Sequence, residues 1–115
     1  MTPELHKQNA LLRSGEQVYA NQYGYSDVHP FEVVRVISDK TIEVRAMTAT
    51  KDPSWQPKFH AGGFSAHCSN QSEQRWFYSS NPEAPVKRIR RGKRGWAKGT
   101  FIIEARPFRF YDYNF

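Results

Sequence analysis

Between Lys87 and Lys98 stand the cations Lys87, Arg88, Arg90, Arg91, Lys93, Arg94 and Lys98, with Ile89 and Trp96 among them and no acid. Ammonium and guanidinium groups pair with phosphates, and flat rings stack on bases, so nucleic acid is the first partner this composition points to. A run of cations is a phosphate-type signal and implies no direct base readout. On an extended chain Arg88 and Arg90 share one face, and Lys87 and Arg91 share the other beside Ile89. Charges on both faces predict a protruding ribbon with little buried surface. The expected contacts are Lys87, Arg88, Arg90, Arg91, Lys93 and Arg94 on phosphates, with Trp96 as the stacking ring. The plainer readings are a solvated edge hairpin, whose charges block sheet-to-sheet association, and a contact with an acidic protein.

Other residues could do chemistry of a different kind. His60, His67 and Cys68 lie close in sequence, and His29 sits in an earlier loop. Imidazole and thiolate are zinc ligands, but this spacing is not a zinc-finger pattern, and adjacent residues point apart on an extended chain. No metal and no cofactor are expected. Cys68 beside His67 is equally weak as a nucleophile and base, because such pairs meet in space and not in sequence. Asp27 and His29 would suit general base work, yet Ser26-Asp27-Val28-His29-Pro30 reads well as a turn opening a strand. Gly62-Gly63 lacks the pattern of a phosphate loop around it. Phe108 and Phe110 share one face of the aromatic ending, and Tyr111, Tyr113 and Phe115 the other. They read as a closing strand whose rings complete the core, with base stacking as the minority reading. No catalytic residue is expected, and the chain reads as a binding protein.

The chain that must position these groups has 115 residues, one domain's worth. Its net charge is +6, and its isoelectric point of about 9.7 favours anionic partners. Leu occurs only at positions 5, 11 and 12, whereas Val, Ile, Thr, Tyr and Phe are plentiful, which favours strands. A single cysteine excludes an internal disulfide and fits a reducing compartment. No apolar run reaches the roughly 20 residues that span a bilayer, and no secretory signal is visible, so a cytoplasmic protein with no membrane partner is expected.

Residues 3–13 predict a short N-terminal helix, with Thr2 as its cap and Ser14-Gly15 as its end. Strands are predicted at 16–23, 31–37, 41–47, 75–79, 86–91, 94–98, 100–104 and 108–113. The pair at 31–37 and 41–47 has the cleanest alternation: Ile42, Val44 and Ala46 point one way, and Thr41, Glu43 and Arg45 the other. Gly92-Lys93 turns a second hairpin. Residues 48–72 read as one long loop, rich in Pro, Gly, Ser, Asn and Gln. Its rings Trp55, Phe59 and Phe64 argue that it packs on the body of the domain. Short strands with tight turns after one helix indicate a mainly β fold: a small SH3-like barrel, with an OB-like barrel as the alternative.

Several segments resemble a group of short proteins of bacteriophages, prophages and plasmids to which no activity is assigned. They are Ser26-Asp27-Val28-His29-Pro30, Lys40-Thr41-Ile42-Glu43-Val44-Arg45, the stretch from Gly62 through Cys68 to Gln71, Gln74-Arg75-Trp76-Phe77-Tyr78, and the ending from Phe110 to Phe115. The resemblance implies a mobile-element setting and brings no activity or catalytic residue with it.

Two functions of different class follow as expectations. The first is a non-enzymatic accessory protein of a mobile element that binds DNA or RNA through a basic β-hairpin. The second is a protein-interaction module that inhibits a host factor, in the manner of an anti-defence protein, using Trp55, Phe59 and Phe64. Exposed rings beside the cationic hairpin favour the first; rings clustered away from it favour the second.

Overall fold

The computed structural model of the chain describes residues 3–62 and 65–114. Helix α1 (Pro3–Arg13) carries Glu4 in its first turn and Arg13 in its last, where each charge suits the helix dipole. Ser14 ends it, its backbone N–H and its hydroxyl both donating to the Leu11 carbonyl at 3.2 and 2.7 Å. Thr2, the expected cap, lies outside the described residues.

Strands β1 (Tyr19–Tyr23), β2 (Val28–Ser38), β3 (Thr41–Ala46), β4 (Thr48–Lys51), β5 (Phe59–Gly62), β6 (Ser65–Cys68), β7 (Trp76–Ser79), β8 (Val86–Gly92), β9 (Gly95–Trp96) and β10 (Phe101–Glu104) follow. β1, β2, β3, β8, β9 and β10 close into a six-strand antiparallel barrel in chain order, with β10 returning to β1. The expected mainly β fold, a small barrel with a short N-terminal helix, is what the chain adopts.

Alternation decides which side chains enter the barrel. Ala20, Phe31, Val33, Ile42, Val44, Ile89, Trp96, Phe101 and Ile103 form its core with Val18, and Leu11 and Leu12 of α1 pack against it. Phe31 meets Phe101 edge-on with ring centres 5.0 Å apart. The long β2 has register shifts between Val33 and Arg35 and between Val36 and Ser38. Such bulges bend a strand and let it wrap a barrel.

β9 and β10 share only one residue pair, Phe101 with Trp96. α1 covers this seam. Buried Gln8 accepts a hydrogen bond from the Ile103 N–H at 2.9 Å, supplying the acceptor that a neighbouring strand would have given.

The segment 48–72, expected to be an irregular loop, contains β4, β5, β6 and a 3-10 turn at Gln71–Glu73. β4 pairs with β7, and β5 with β6, making an arm beside the barrel. These strands are four residues each and mostly exposed: Thr48, Thr50, Phe59, His60 and His67 face solvent, and Cys68 is the buried exception. The expected last strand at 108–113 does not form among the described residues, where its one ladder contact with the sheet is a bridge between Phe110 and Val28. Side chains hold this tail instead. Fully buried Asn21 accepts from the Phe108 N–H, Asp27 from that of Asp112, Gln74 from that of Tyr111 and Gln71 from that of Tyr113. The Asn114 amide brackets the backbone of Cys68, accepting at 2.7 Å and donating at 2.9 Å. The tail therefore ties the barrel to the arm.

Candidate nucleic-acid interface

β8 enters the barrel wall beside β3, with Ile89 opposite Ile42, Arg88 opposite Glu43 and Arg90 opposite Thr41. Ile89 and Ile42 face the core, so Arg88 and Arg90 must face out. Beyond β8 the chain reverses through Lys93 and Arg94, passes Trp96 and enters a second turn. Here Ala97, Lys98 and Gly99 have φ of 47°, 60° and 85°. Left-handed backbone disfavours residues bearing a Cβ by roughly 1–2 kcal/mol each. Gly99 is needed for a further reason: a Cβ there would lie 2.8 Å from the Arg94 carbonyl oxygen. That close approach sets the two turns side by side.

The result is a groove of about 540 Å³ lined by Arg88, Ile89, Arg90, Gly92, Lys93, Arg94, Ala97 and Lys98. No acid lines it. Glu43 stands next to it and is shared between Arg88 at 3.2 Å and Arg35 at 3.9 Å. Arg90, Lys93, Arg94 and Lys98 form no ion pair among the described residues. Uncompensated cations around one concavity concentrate positive potential there.

The groove brings together four of the cations expected from the sequence, Arg88, Arg90, Lys93 and Arg94, and adds Lys98. Lys87 and Arg91 fall on the inward register with Ile89 and do not line it. The Lys87 ammonium lies 5.6 Å from the centre of the Phe31 ring, and Arg91 donates from its Nε to the Asp39 carbonyl at 3.2 Å. Trp96 is a correction. Its ring is 0% exposed in the middle of the core and is out of reach of a base. Its position opposite Arg91 and Phe101 turns it inward. Lys98 is visible in the sequence among the cations, but only the backbone approach of Gly99 to Arg94 brings it to the groove.

On the arm, Trp55 is 7% exposed and packs against Tyr113 with ring centres 5.7 Å apart, so it is no surface contact. Phe59 is 51% exposed, and Phe77, which the sequence reading did not select, is 58% exposed. Phe64 lies outside the described residues.

His60 and His67 are cross-strand partners. The His60 imidazole meets the Ser69 hydroxyl at 2.9 Å, and the buried Cys68 thiol contacts Asn70 at 3.4 Å, not a histidine. No cluster of three His, Cys, Asp or Glu suited to a metal occurs among the described residues. Burial, aided by the Arg109 guanidinium and opposed by Asp27, holds the His29 pKa below its ordinary value. No helix among the described residues is long and apolar enough to cross a membrane. Comparison with protein-family models, curated proteins and solved structures finds no match for this chain.

Proposed function

We propose that this protein is a non-enzymatic, cytoplasmic accessory protein of a mobile genetic element that binds nucleic acid through the groove between β8 and the left-handed turn. The observation that carries this reading is the convergence of Arg88, Arg90, Lys93, Arg94 and Lys98 on one concavity with no acid in its lining. We read the barrel as SH3-like, because its strands follow chain order around the wall, whereas the OB topology is a Greek key. With Trp96 buried, no ring among the described residues lines the groove, so its contacts are with the phosphate backbone and carry little sequence preference.

Binding to single- and double-stranded DNA and RNA, measured across a salt series, tests the reading. Each phosphate contact contributes about 0.9 to the log–log salt slope on duplex DNA. Arg90→Gln with Arg94→Gln should weaken binding similarly for all sequences and flatten the slope by about 2. Unchanged binding in that double variant would sink the assignment.

A protein-interaction module is the second reading. It is supported by the exposed Phe59 and Phe77, which stand on the arm and not in the groove. Capture of a host factor by the parent protein, lost in Phe59→Ser with Phe77→Ser, would favour it.

A further inference from the structure

A second concavity, of about 320 Å³, opens at one end of the barrel and shares no lining residue with the cationic groove. Gln22 and His29 are cross-strand partners at the barrel rim, one step of alternation beyond the core pair Ala20 and Phe31. Both therefore share the register of that core pair, but at the open rim, where Gln22 is half-buried and His29 is exposed. Arg109 reaches the same cavity from the tail, and Phe31, Ala46 and Ala49 supply apolar lining.

Arg109 is fixed before any ligand arrives. Its Nη1 donates to the carbonyls of Val28 and Phe110 at 3.0 and 2.7 Å. Its guanidinium carbon lies 5.3 Å from the centre of the Trp76 ring and 5.7 Å from that of Tyr111. Fixing a guanidinium this way lowers the ordering cost of binding. Nη1 takes up two of its bonds, and Arg109 has no carboxylate partner among the described residues. Nε and Nη2 remain as a fork. No acid among the described residues lines the cavity. Asp27, which acts on His29, already accepts the Asp112 N–H. A fixed guanidinium fork beside an amide and an imidazole matches the two oxygens of a carboxylate, and an apolar wall takes the rest of such a molecule.

We propose that this rim cavity binds a small organic carboxylate, with the head group on Arg109, Gln22 and His29 and the apolar body against Phe31, Ala46 and Ala49. The ligand is an acid small enough for the cavity and need not be connected with nucleic acid.

Benzoate titrated into the protein, followed by amide and imidazole NMR signals, tests this, with inorganic phosphate as the parallel probe. Saturable shifts at the Gln22 amide and the His29 ring are expected, and phosphate should bind at least about tenfold more weakly because it offers nothing to the apolar wall. Benzoate should also move the His29 titration to higher pH, since an anion opposes Arg109 there and adds to the effect of Asp27. Ala49→Phe fills the cavity without removing a polar group and should weaken benzoate about tenfold or more. Gln22→Leu, at the rim, is the second variant, and the amide spectrum of each checks its fold. The absence of saturable shifts, phosphate binding as tightly as benzoate, or parent-like benzoate binding by both folded variants would overturn the proposal.

Discussion

Single side chains in this barrel are read most clearly through what they lack. Trp96 has no exposed surface, and its indole N–H has no hydrogen-bond partner among the described residues. Its contribution is packing, so Trp96→Leu should cost about 2–3 kcal/mol in urea denaturation. The affinity of the folded variant for DNA should be unchanged. A stacking ring removed this way would forfeit about 1–3 kcal/mol of binding instead. His29 makes a prediction in pH. Its pKa is held below the ordinary value by burial first and then by Arg109, with Asp27 pulling the other way. The unfolded chain therefore takes up a proton as pH falls through about 6.5 while the folded chain resists it. Stability falls across that range and levels off below the folded pKa. Urea midpoints at pH 7.5 and 5.5 should differ less for His29→Gln than for the parent; an identical pH dependence would show that the ring is not so held.

Elements differ in how far the sequence announces them. β2 and β3 are legible because Ile42 and Val44 alternate with Thr41, Glu43 and Arg45, and one face enters a core. The arm is not, because β4, β5 and β6 are four residues each and mostly exposed, too short a run for a pattern to register. The tail misleads in the opposite direction. Its alternating aromatics imitate a strand, yet its amides are taken by Asn21, Tyr78, Gln74, Asp27 and Gln71, acceptors scattered over the chain. The candidate groove was half legible: the cations are plain in the sequence, but Lys87 and Arg91 alternate with Arg88 and Arg90 and do not line it, and only the approach of Gly99 to Arg94 recruits Lys98. α1 is legible as a short helix, but its polar Gln8 gives no hint that it completes the barrel. Gln8→Met keeps the volume and removes the acceptor. It leaves the Ile103 N–H buried and unpaired, which costs about 1–3 kcal/mol. Urea denaturation should show the loss, and hydrogen exchange at the Ile103 amide should accelerate more than at its neighbours in β10.

At the scale of the molecule, the elongated 50 × 30 × 22 Å shape separates two kinds of surface. The barrel wall at β8 carries charge without rings, and the arm carries exposed rings in Phe59 and Phe77. A net charge of +6 alone would attract polyanions diffusely. A groove makes a sharper demand, because only cations that approach phosphates together release counterions together. Removing charge inside the groove, by Arg90→Gln and Lys98→Gln, should therefore flatten the salt slope on duplex DNA by about 2. Removing the same charge at Lys51 and Lys58, which belong to the arm side of the molecule and line no part of the groove, should lower affinity slightly and leave the slope near that of the parent. Phe59→Ser with Phe77→Ser should leave both affinity and slope unchanged. Equal loss of slope from the groove pair and the arm pair would mean that attraction is set by net charge, and the concavity would then have no special role in binding.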